Sequence, residues 1–305
     1  MGWHVTGTLG SIAAAAAASK ALKLAPNGIS NALGIAASSA SGLRSNFGTM
    51  TKSYHAGHAA MVGVLAAQLA EKGFDASPVA LESEQGFARL FGCNGDLSSV
   101  VGVLGRDYAL TRMMLKPYPS CGGTHAGIDA ILKMRDQIKP KLEDISEIEA
   151  WVPTSLLRIA FHHNPQTPLE AKFSLEFCVS AALVFGEVGI AQFERKCIFD
   201  SRVRDLMGRV RMIPDAEMEK ATQERGVLSP ARLKLKLRDG KEFSEMVWEA
   251  KGGPSNPMSR DEIREKFRKC ASQVLPDPNV ERALATIEQL ETLKNVSDLT
   301  SVLTG

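Results

Sequence analysis

Small apolar positions with few charges between them dominate the first quarter of the chain. Residues 8–24 are nearly all alanine, glycine, serine or aliphatic, and the Pro-Asn-Gly sequence at 26–28 predicts where this helix ends. Two further helices are predicted over residues 29–40 and from about residue 56 to 72, the last one capped by Gly73. Helices without a polar face pack inside larger assemblies. The pattern therefore predicts an all-helical domain whose outer layer comes from elsewhere.

Beyond about residue 110 the pattern changes to alternation. Residues 110–115 and 145–152 alternate apolar and polar side chains, which predicts two strands. Residues 231–237 alternate leucine with lysine or arginine, and an Asp-Gly turn then leads into residues 243–247, so this stretch predicts a hairpin. The helices predicted in the same region cover residues 123–138 and 173–184.

Only helices are predicted after a cluster of glycine, proline and asparagine at residues 252–257. Ser259 followed by Glu262 forms a capping box at the start of the first of them. These helices cover residues 259–272, 279–293 and 296–303.

The order helical, then α+β, then helical predicts an α fold with an inserted α+β domain. We expect residues 1–109 to form the first part of a large helical domain and residues 110–253 to form an α+β lid domain. Residues 254–305 would then return to the helical domain. A chain of 305 residues is long enough for two such units.

Composition excludes several classes of protein. With 36 Lys and Arg against 34 Asp and Glu, the net charge of +2 gives no general field for nucleic acid or anionic membrane, so neither is an expected partner. The apolar run at residues 12–18 is too short to span a bilayer and has no basic segment before it. Scattered cysteines without a CxxC pair favour a reducing, cytoplasmic location. They are Cys93, Cys121, Cys178, Cys197 and Cys270.

Candidate chemistry lies at the edges of the predicted elements. No metal-ligand spacing and no cofactor-binding motif is present, so we expect neither a metal nor a cofactor. The remaining polar residues are imidazoles, lysines, hydroxyls and one thiol in front of predicted helices, where helix dipoles attract anions. They are His4 and Thr6, then Lys52 and His55, then Lys116, Ser120, Cys121 and His125. If these groups converge, they would bind a polycarboxylate and transfer a proton.

Each of these residues also has a purely structural interpretation. A lone lysine before a helix is usually solvated, and His4 could serve only as a helix cap. Cys121 is typical of a buried small residue, because reactive thiols are a minority. His162 and His163 are expected on a loop surface. Spacing alone predicts a two-part α and α+β protein with some affinity for anions.

The amino-acid sequences around these clusters resemble those of the MmgE/PrpD family, which includes 2-methylcitrate dehydratase, cis-aconitate decarboxylase and iminodisuccinate epimerase. The resemblance lies in five blocks in the same order, beginning GWHVTGTLG, TMTKSYHAGHAAM, KPYPSCGGTHAG, AKFSLEFC and GGPSNPMSRDE. It implies a large helical domain with an α+β lid, a homodimer, and catalysis without metal or cofactor. It also implies catalytic roles for His4, Lys52 and Lys116, with His55 beside Lys52.

Two features depart from the family pattern. Family members frequently have an aromatic hydroxyl at the position of Phe177, and its absence argues against a decarboxylase. They also carry a helical segment before the GWH block, so we expect this chain to be truncated or to be part of a longer protein, with a helical domain incomplete at its N-terminus.

Three functional hypotheses follow. The leading one is a cofactor-independent lyase that dehydrates a small di- or tricarboxylic acid similar to 2-methylcitrate, after removal of an α-proton. Thr6, His55, Ser120, Cys121 and His125 would bind this polycarboxylate. The second is an epimerase or isomerase of a dicarboxylate, with Cys121 near Lys116 as one of two bases. The third is a non-catalytic remnant.

Overall fold

A computed structural model describes residues 2–92, 97–225 and 228–303 of the chain. The backbone divides into two compact units. The first unit contains residues 1–109 and 169–173, and the second contains residues 110–168 and 174–305. One unit is helical and the other combines helices with a sheet, which agrees with the predicted fold class at this coarse level.

Three helices form the body of the first unit: α1 (Val5–Ala21), α2 (Pro26–Ser38) and α3 (Met50–Glu71). Their shared core is built almost entirely from alanine side chains and contains one valine, Val62. Because alanine adds little bulk, the helix axes can approach closely. The short helices α4 (Phe87–Leu90) and α5 (Ser98–Val101) follow along the chain.

Glycine makes the closest helix contacts of this unit possible. A Cβ atom on Gly63 of α3 would lie 2.4 Å from the Cβ atom of Ala14 and 2.5 Å from the backbone nitrogen of Ala15 in α1. A Cβ atom on Gly7 would lie 2.2 Å from the carbonyl oxygen of Ser41. Real Cβ atoms do not approach other atoms this closely, so these two glycines set the spacing between α1 and its neighbours.

The helices of the first unit begin earlier than the sequence predicted. Pro26 occupies the first turn of α2, where its missing N–H costs no hydrogen bond. Met50 begins α3, so Lys52 and His55 lie in its first two turns, and the prediction that they precede the helix was wrong. The reason is local. Thr49 is extended, and no glycine or proline between residues 50 and 56 interrupts the helix after it.

The second unit is built on a four-stranded mixed sheet. Its strands are β1 (Ile145–Pro153), β2 (Val210–Asp215), β3 (Ala231–Leu237) and β4 (Glu242–Val247), in the order β2-β1-β3-β4. β1 runs parallel to β2 and antiparallel to β3, and β3 and β4 form the predicted hairpin. In the centre of the sheet, Ile148 is opposite both Val210 and Leu235.

Alternation along β3 follows the two faces of the sheet. Leu233 and Leu235 are completely buried. Lys236 lies on the other face, and its Nζ is 3.0 Å from a carboxylate oxygen of Glu147 and 3.2 Å from one of Glu149. The buried face packs against α6 (His125–Ile138). The later helices are α7 (Thr154–Leu157), α8 (Pro168–Ala171), α9 (Leu175–Phe185), α10 (Arg195–Ile198), α11 (Ser201–Met207), α12 (Ala216–Arg225), α13 (Arg260–Ala271), α14 (Asp277–Glu288) and α15 (Ser297–Leu303).

One predicted strand is absent, and one observed strand was not predicted. The segment 110–115 is not a strand but a 3-10 turn over Ala109–Arg112 and then an extended stretch. Its N–H at Leu115 bonds the carbonyl of Gly252 at 2.9 Å, and Leu110 and Met113 are exposed, so its alternation does not mark a sheet face. β2 was missed because Pro214 and two charged residues interrupt its apolar pattern.

The capping box at the start of α13 is confirmed. Ser259 accepts a hydrogen bond from the backbone N–H of Glu262, whose side chain accepts one from the N–H of Ser259. In this structure residues 254–305 belong to the second compact unit, and their predicted return to the helical domain stays a prediction. Among the described residues, no helix combines the length and the apolar character that crossing a bilayer requires.

We predict that Gly63→Ala destabilises the first unit by about 2 kcal/mol or more, because the new methyl group overlaps the backbone of α1. Urea unfolding followed by circular dichroism measures the effect. Gly57→Ala on the same helix is the matched control, since its Cβ would meet nothing within 4 Å and should stabilise the helix by up to about 1 kcal/mol. Equal effects of the two substitutions would contradict the role given to Gly63.

Candidate functional site

His4 is placed by a short antiparallel pairing ahead of α1. The N–H of His4 donates to the carbonyl of Gly42 at 3.1 Å, and the N–H of Arg44 donates to the carbonyl of Gly2 at 2.8 Å. Gly42 has a φ of +126°, which L side chains rarely adopt, and a Cβ there would lie 3.4 Å from the ring of His55. A glycine at this position therefore lets the chain cross directly over the imidazole of α3.

The two imidazoles of the first unit form a hydrogen-bonded pair. Nδ1 of His4 lies 2.9 Å from Nδ1 of His55, and the ring centroids are 5.2 Å apart. His55 is buried, while His4 is partly exposed and meets Phe47 edge to face. One nitrogen of the pair must donate and the other accept, so at least one of the two rings is neutral.

Burial and nearby cations keep the His4 ring neutral. Desolvation lowers the pKa of His4 to about 4, and the positive charges of Lys52, His55 and Arg44 act in the same direction. The Nζ of Lys52 lies 5.9 Å from the ring centroid of Phe173, which belongs to the same unit. At neutral pH the group therefore presents an unprotonated imidazole beside a lysine cation.

Lys116 belongs to a second group, in the α+β unit. Its Nζ donates to the carbonyl of Ser120 at 3.0 Å. The hydroxyls of Ser120 and Thr124 are 2.9 Å apart, and the Thr124 hydroxyl donates to the carbonyl of Cys121 at 2.8 Å. These bonds fold the chain into the tight 3-10 turn Gly122–Thr124 that leads into α6.

His125 is the first residue of α6 and has no exposed surface. Burial and, after it, the charge of Lys116 lower its pKa to about 4, and the nearby carbonyls of Ser120 and Tyr118 oppose the shift. The ring meets Tyr118 edge to face at 5.2 Å between centroids. Within the part of the chain that the structure describes, neither ring nitrogen makes a hydrogen bond. A second lysine thus lies near a second neutral imidazole.

The segment that carries Lys116 is fixed by contacts that the sequence did not predict. The hydroxyl of Tyr118 donates to Asp129 at 2.5 Å, and the other carboxylate oxygen of Asp129 accepts the N–H of Lys251 at 2.7 Å. Gly252 has a φ of +89°, and a Cβ there would lie only 1.9 Å from the carbonyl oxygen of Leu115. The sequence predicted the loop at residues 252–257 only as the end of the α+β region. In the structure its Gly252 also packs directly against the backbone next to Lys116.

The predicted residues thus fall into two groups, one in each unit. His4, Lys52 and His55 lie together in the first unit, where Thr6 is exposed on the first turn of α1. The second group contains Lys116, Ser120, Cys121 and His125. Their catalytic and substrate-binding roles stay predictions.

Cysteines and metal-ligating groups add little to this picture. The four described cysteines carry thiols and form no disulfide with one another, and Cys93 lies outside the described residues. Phe177 is completely buried and packs against Phe193. The described residues contain no group of three or more His, Cys, Asp or Glu side chains that could hold a metal ion.

Fold and side chains together define a helical protein with an α+β unit, in which each unit presents a lysine near a neutral histidine. The family model of the MmgE/PrpD N-terminal domain matches residues 1–99, and that of the MmgE/PrpD C-terminal domain matches residues 118–292. The chain belongs to the MmgE/PrpD family.

Similar proteins are named as cis-aconitate decarboxylases. The cis-aconitate decarboxylase-like protein oryM of Aspergillus oryzae is 30% identical over 321 residues, which cover 100% of this chain and 65% of the relative. Cis-aconitate decarboxylase of Aspergillus terreus is 26% identical (99% and 64% covered), and that of Homo sapiens is 27% identical (99% and 63% covered). The chain thus spans less than two thirds of the length of these relatives.

We predict that Lys52→Gln raises the pKa of His4 from about 4 toward its usual 6.5, because the variant loses the largest charge effect on the ring. Burial is the larger cause and remains, so the rise should stop short of 6.5. An NMR titration of the imidazole signals measures it. Lys20→Gln, at an exposed position late in α1, should leave the His4 titration unchanged. An unchanged titration in Lys52→Gln would contradict the electrostatic account.

We predict that acid destabilises the second unit partly through His125. Its folded pKa of about 4 lies below the usual 6.5, so the unfolded chain binds the extra proton between these values. The free energy of unfolding should fall as pH drops from 6.5 to 4, by about 3 kcal/mol at most from this residue. His125→Leu removes the group and should flatten that slope in urea unfolding at stepped pH. A slope equal to that of the unaltered protein would argue against this assignment.

Proposed function

We propose that the chain is a lyase of the MmgE/PrpD type that acts on a small di- or tricarboxylic acid by removing a proton from the carbon next to a carboxylate. The observation that carries the proposal is the imidazole pair of His4 and His55 beside Lys52. A neutral imidazole with a cation beside it can take a proton from a substrate that the cation attracts.

Substrate binding itself would strengthen the base. In the free protein, the charge of Lys52 helps to keep the pKa of His4 at about 4, which makes His4 a weak base. A bound carboxylate would neutralise that charge and so raise the pKa of His4. Proton affinity would therefore increase only when an anionic substrate is present. His55 would share the charge through the hydrogen bond between the two Nδ1 atoms.

Lysines would stabilise the product of proton removal. Loss of the α-proton turns a carboxylate into an enediolate that carries an additional negative charge, and a preplaced cation lowers the energy of that state. Lys52 and Lys116 are the proposed cations, and the Nζ of Lys116 is held 3.0 Å from the carbonyl oxygen of Ser120. The proposed chemistry needs no metal or cofactor, and the homodimer implied by the family resemblance belongs to the same proposal.

Dehydration of an acid similar to 2-methylcitrate is the leading reaction, since the enediolate can expel a hydroxyl group from the neighbouring carbon. Decarboxylation is the second candidate, and the names of the similar proteins favour it. Phe177 supplies no hydroxyl that could donate a proton, which favours dehydration. Epimerisation would need a second base on the opposite face, a role for which Cys121 is the candidate. The remaining alternative, a non-catalytic remnant, predicts no reaction at all.

We expect the purified chain to convert at least one acid of a panel containing 2-methylcitrate, citrate, cis-aconitate and a chiral dicarboxylate. Mass spectrometry separates loss of water from loss of CO2, and chiral chromatography detects inversion. In D2O, deuterium should enter the α-carbon of the substrate. An unreactive panel without deuterium exchange would favour the remnant.

His4→Gln should reduce deuterium exchange by about a hundredfold or more, as expected for removal of a general base. Lys52→Gln and Lys116→Gln should reduce turnover, and a double-mutant cycle tests whether the two cations act on the same substrate, since coupled effects are not additive. His58→Gln, on the same helix as His55, is the control and should exchange normally. Normal exchange in His4→Gln would exclude His4 as the base.

A further inference from the structure

The α+β unit contains a histidine–glutamate pair that neither the predicted site nor the proposed base uses. Nδ1 of His163 lies 2.6 Å from a carboxylate oxygen of Glu176. The side chain of Glu176 is only 8% exposed, whereas that of His163 is 62% exposed. The other carboxylate oxygen of Glu176 is 3.3 Å from the hydroxyl of Ser174. A buried carboxylate thus fixes one ring nitrogen and leaves Nε2 of His163 on the accessible side.

The loop next to His163 is held in place from its other side. Arg204 of α11 donates one hydrogen bond to the side-chain oxygen of Asn164 at 2.5 Å and another to the carbonyl of Pro165 at 2.6 Å. Ser174 caps α9 by accepting the N–H of Phe177 at 3.1 Å, and this fixes the turn from which Glu176 projects. An exposed imidazole with such support is preorganised, unlike an ordinary surface histidine.

Glu176 lies in the first turn of α9, which packs against α6, the helix that follows Lys116 and its turn. The first turns of α6 and α9 pack so closely that a Cβ on Gly127 would lie 2.8 Å from the side chain of Leu175. Cys178, one turn into α9, lies near Glu176 on one side and near the Thr124 and Ser120 side chains on the other. Burial, chiefly, raises the pKa of its thiol to about 12; hydrogen bonds with the side chains of Thr124 and Ser120 oppose the shift, and the carboxylate of Glu176 makes a small contribution in the same direction as burial.

We propose that His163 is the general acid of the reaction and that Glu176 is its positioning residue. The assignment rests on the proposed function, which requires a proton donor for the leaving group and takes none from the predicted residues. A buried carboxylate hydrogen-bonded to Nδ1 orients the ring and leaves Nε2 as the nitrogen that can give a proton away.

After the base has taken the α-proton, the electron pair of the enediolate forms the new C=C bond, and the C–O bond to the neighbouring hydroxyl breaks. The electron pair of that bond goes to oxygen, which takes the proton from Nε2 of His163 and leaves as water. His163 is then neutral and regains a proton from solvent, while the base returns its proton to solvent.

The test separates the two proton transfers on the full chain. With an acid that the unaltered protein dehydrates, deuterium exchange at the α-carbon reports the base and water loss reports the acid. His163→Gln should keep exchange within about threefold but lose water formation by about a hundredfold or more, the range found for general acids.

Glu176→Gln keeps the shape of the carboxylate but not its charge. It should lower water formation about tenfold and leave deuterium exchange within about threefold, because the ring of His163 is less firmly oriented while the base is untouched. His162→Gln is the matched control on the neighbouring residue and should change neither reaction. Thermal unfolding of each variant shows whether it folds like the unaltered protein.

Unchanged water formation in His163→Gln would overturn the assignment while leaving the proposed function intact. So would a parallel loss of exchange and water formation in a variant with lowered thermal stability, since that pattern indicates a structural role. If the unaltered chain itself showed neither reaction, the proposed function would fail, and the general-acid assignment with it.

Discussion

Close contact between α1 and α3 is the constraint on which the first unit depends. An alanine core gives little hydrophobic stabilisation per residue, because each buried side chain removes little apolar surface from water. The advantage of such a core is that the helix axes can lie close together. At Gly63 the backbone of α3 touches the middle of α1, and at the N-terminal end of α1 the same close spacing allows His4 to reach His55. Bulky side chains between these helices would separate the two imidazoles beyond hydrogen-bond distance.

Both units use one electrostatic device, a lysine near a buried or half-buried histidine. Desolvation disfavours the charged imidazole, and the lysine adds to that effect in each case. The result is a ring that stays neutral well into the acid range, with a cation beside it. An anion that binds the lysine changes the proton affinity of the ring, so recognition of charge and readiness for proton transfer are the same event.

How far the sequence predicted this molecule depends on the kind of contact. The hairpin of β3 and β4 and the capping box of α13 were predicted because their signals are local: alternation, a two-residue turn and a serine three residues before a glutamate. The segment 110–115 alternates in the same way yet pairs with a loop, since a strand requires a partner that no local pattern specifies. The strand β2 has a partner in the sheet, but Pro214 interrupts its alternation, so the sequence did not predict it.

Site residues follow the same rule. His4, His55 and Lys52 were selected as separate signals at helix starts, but their hydrogen bond and electrostatic coupling depend on the crossing at Gly42. His163 lies on a loop surface, as predicted, but its pairing with Glu176 was not predicted, because Glu176 is thirteen residues away along the chain and looks like an ordinary first-turn acid of α9. Sequence identifies which groups can ionise. Burial and long-range packing decide which of them are paired, and pairing decides their chemistry.

On the proposed mechanism, dehydration and epimerisation share the first proton transfer and differ in the second. Both begin with removal of the α-proton by a neutral base beside a cation, whereas decarboxylation breaks a C–C bond and needs a proton at the carbon that CO2 leaves. The outcome then depends on where a proton is delivered: to a departing hydroxyl, to the carbon that loses CO2, or to the opposite face of the same carbon. A proton donor supported as His163 is by Glu176 would favour a departing hydroxyl, whereas a buried phenylalanine at position 177 can supply no proton at all. The donor, rather than the base, is therefore the part of the site where a change of reaction would be found.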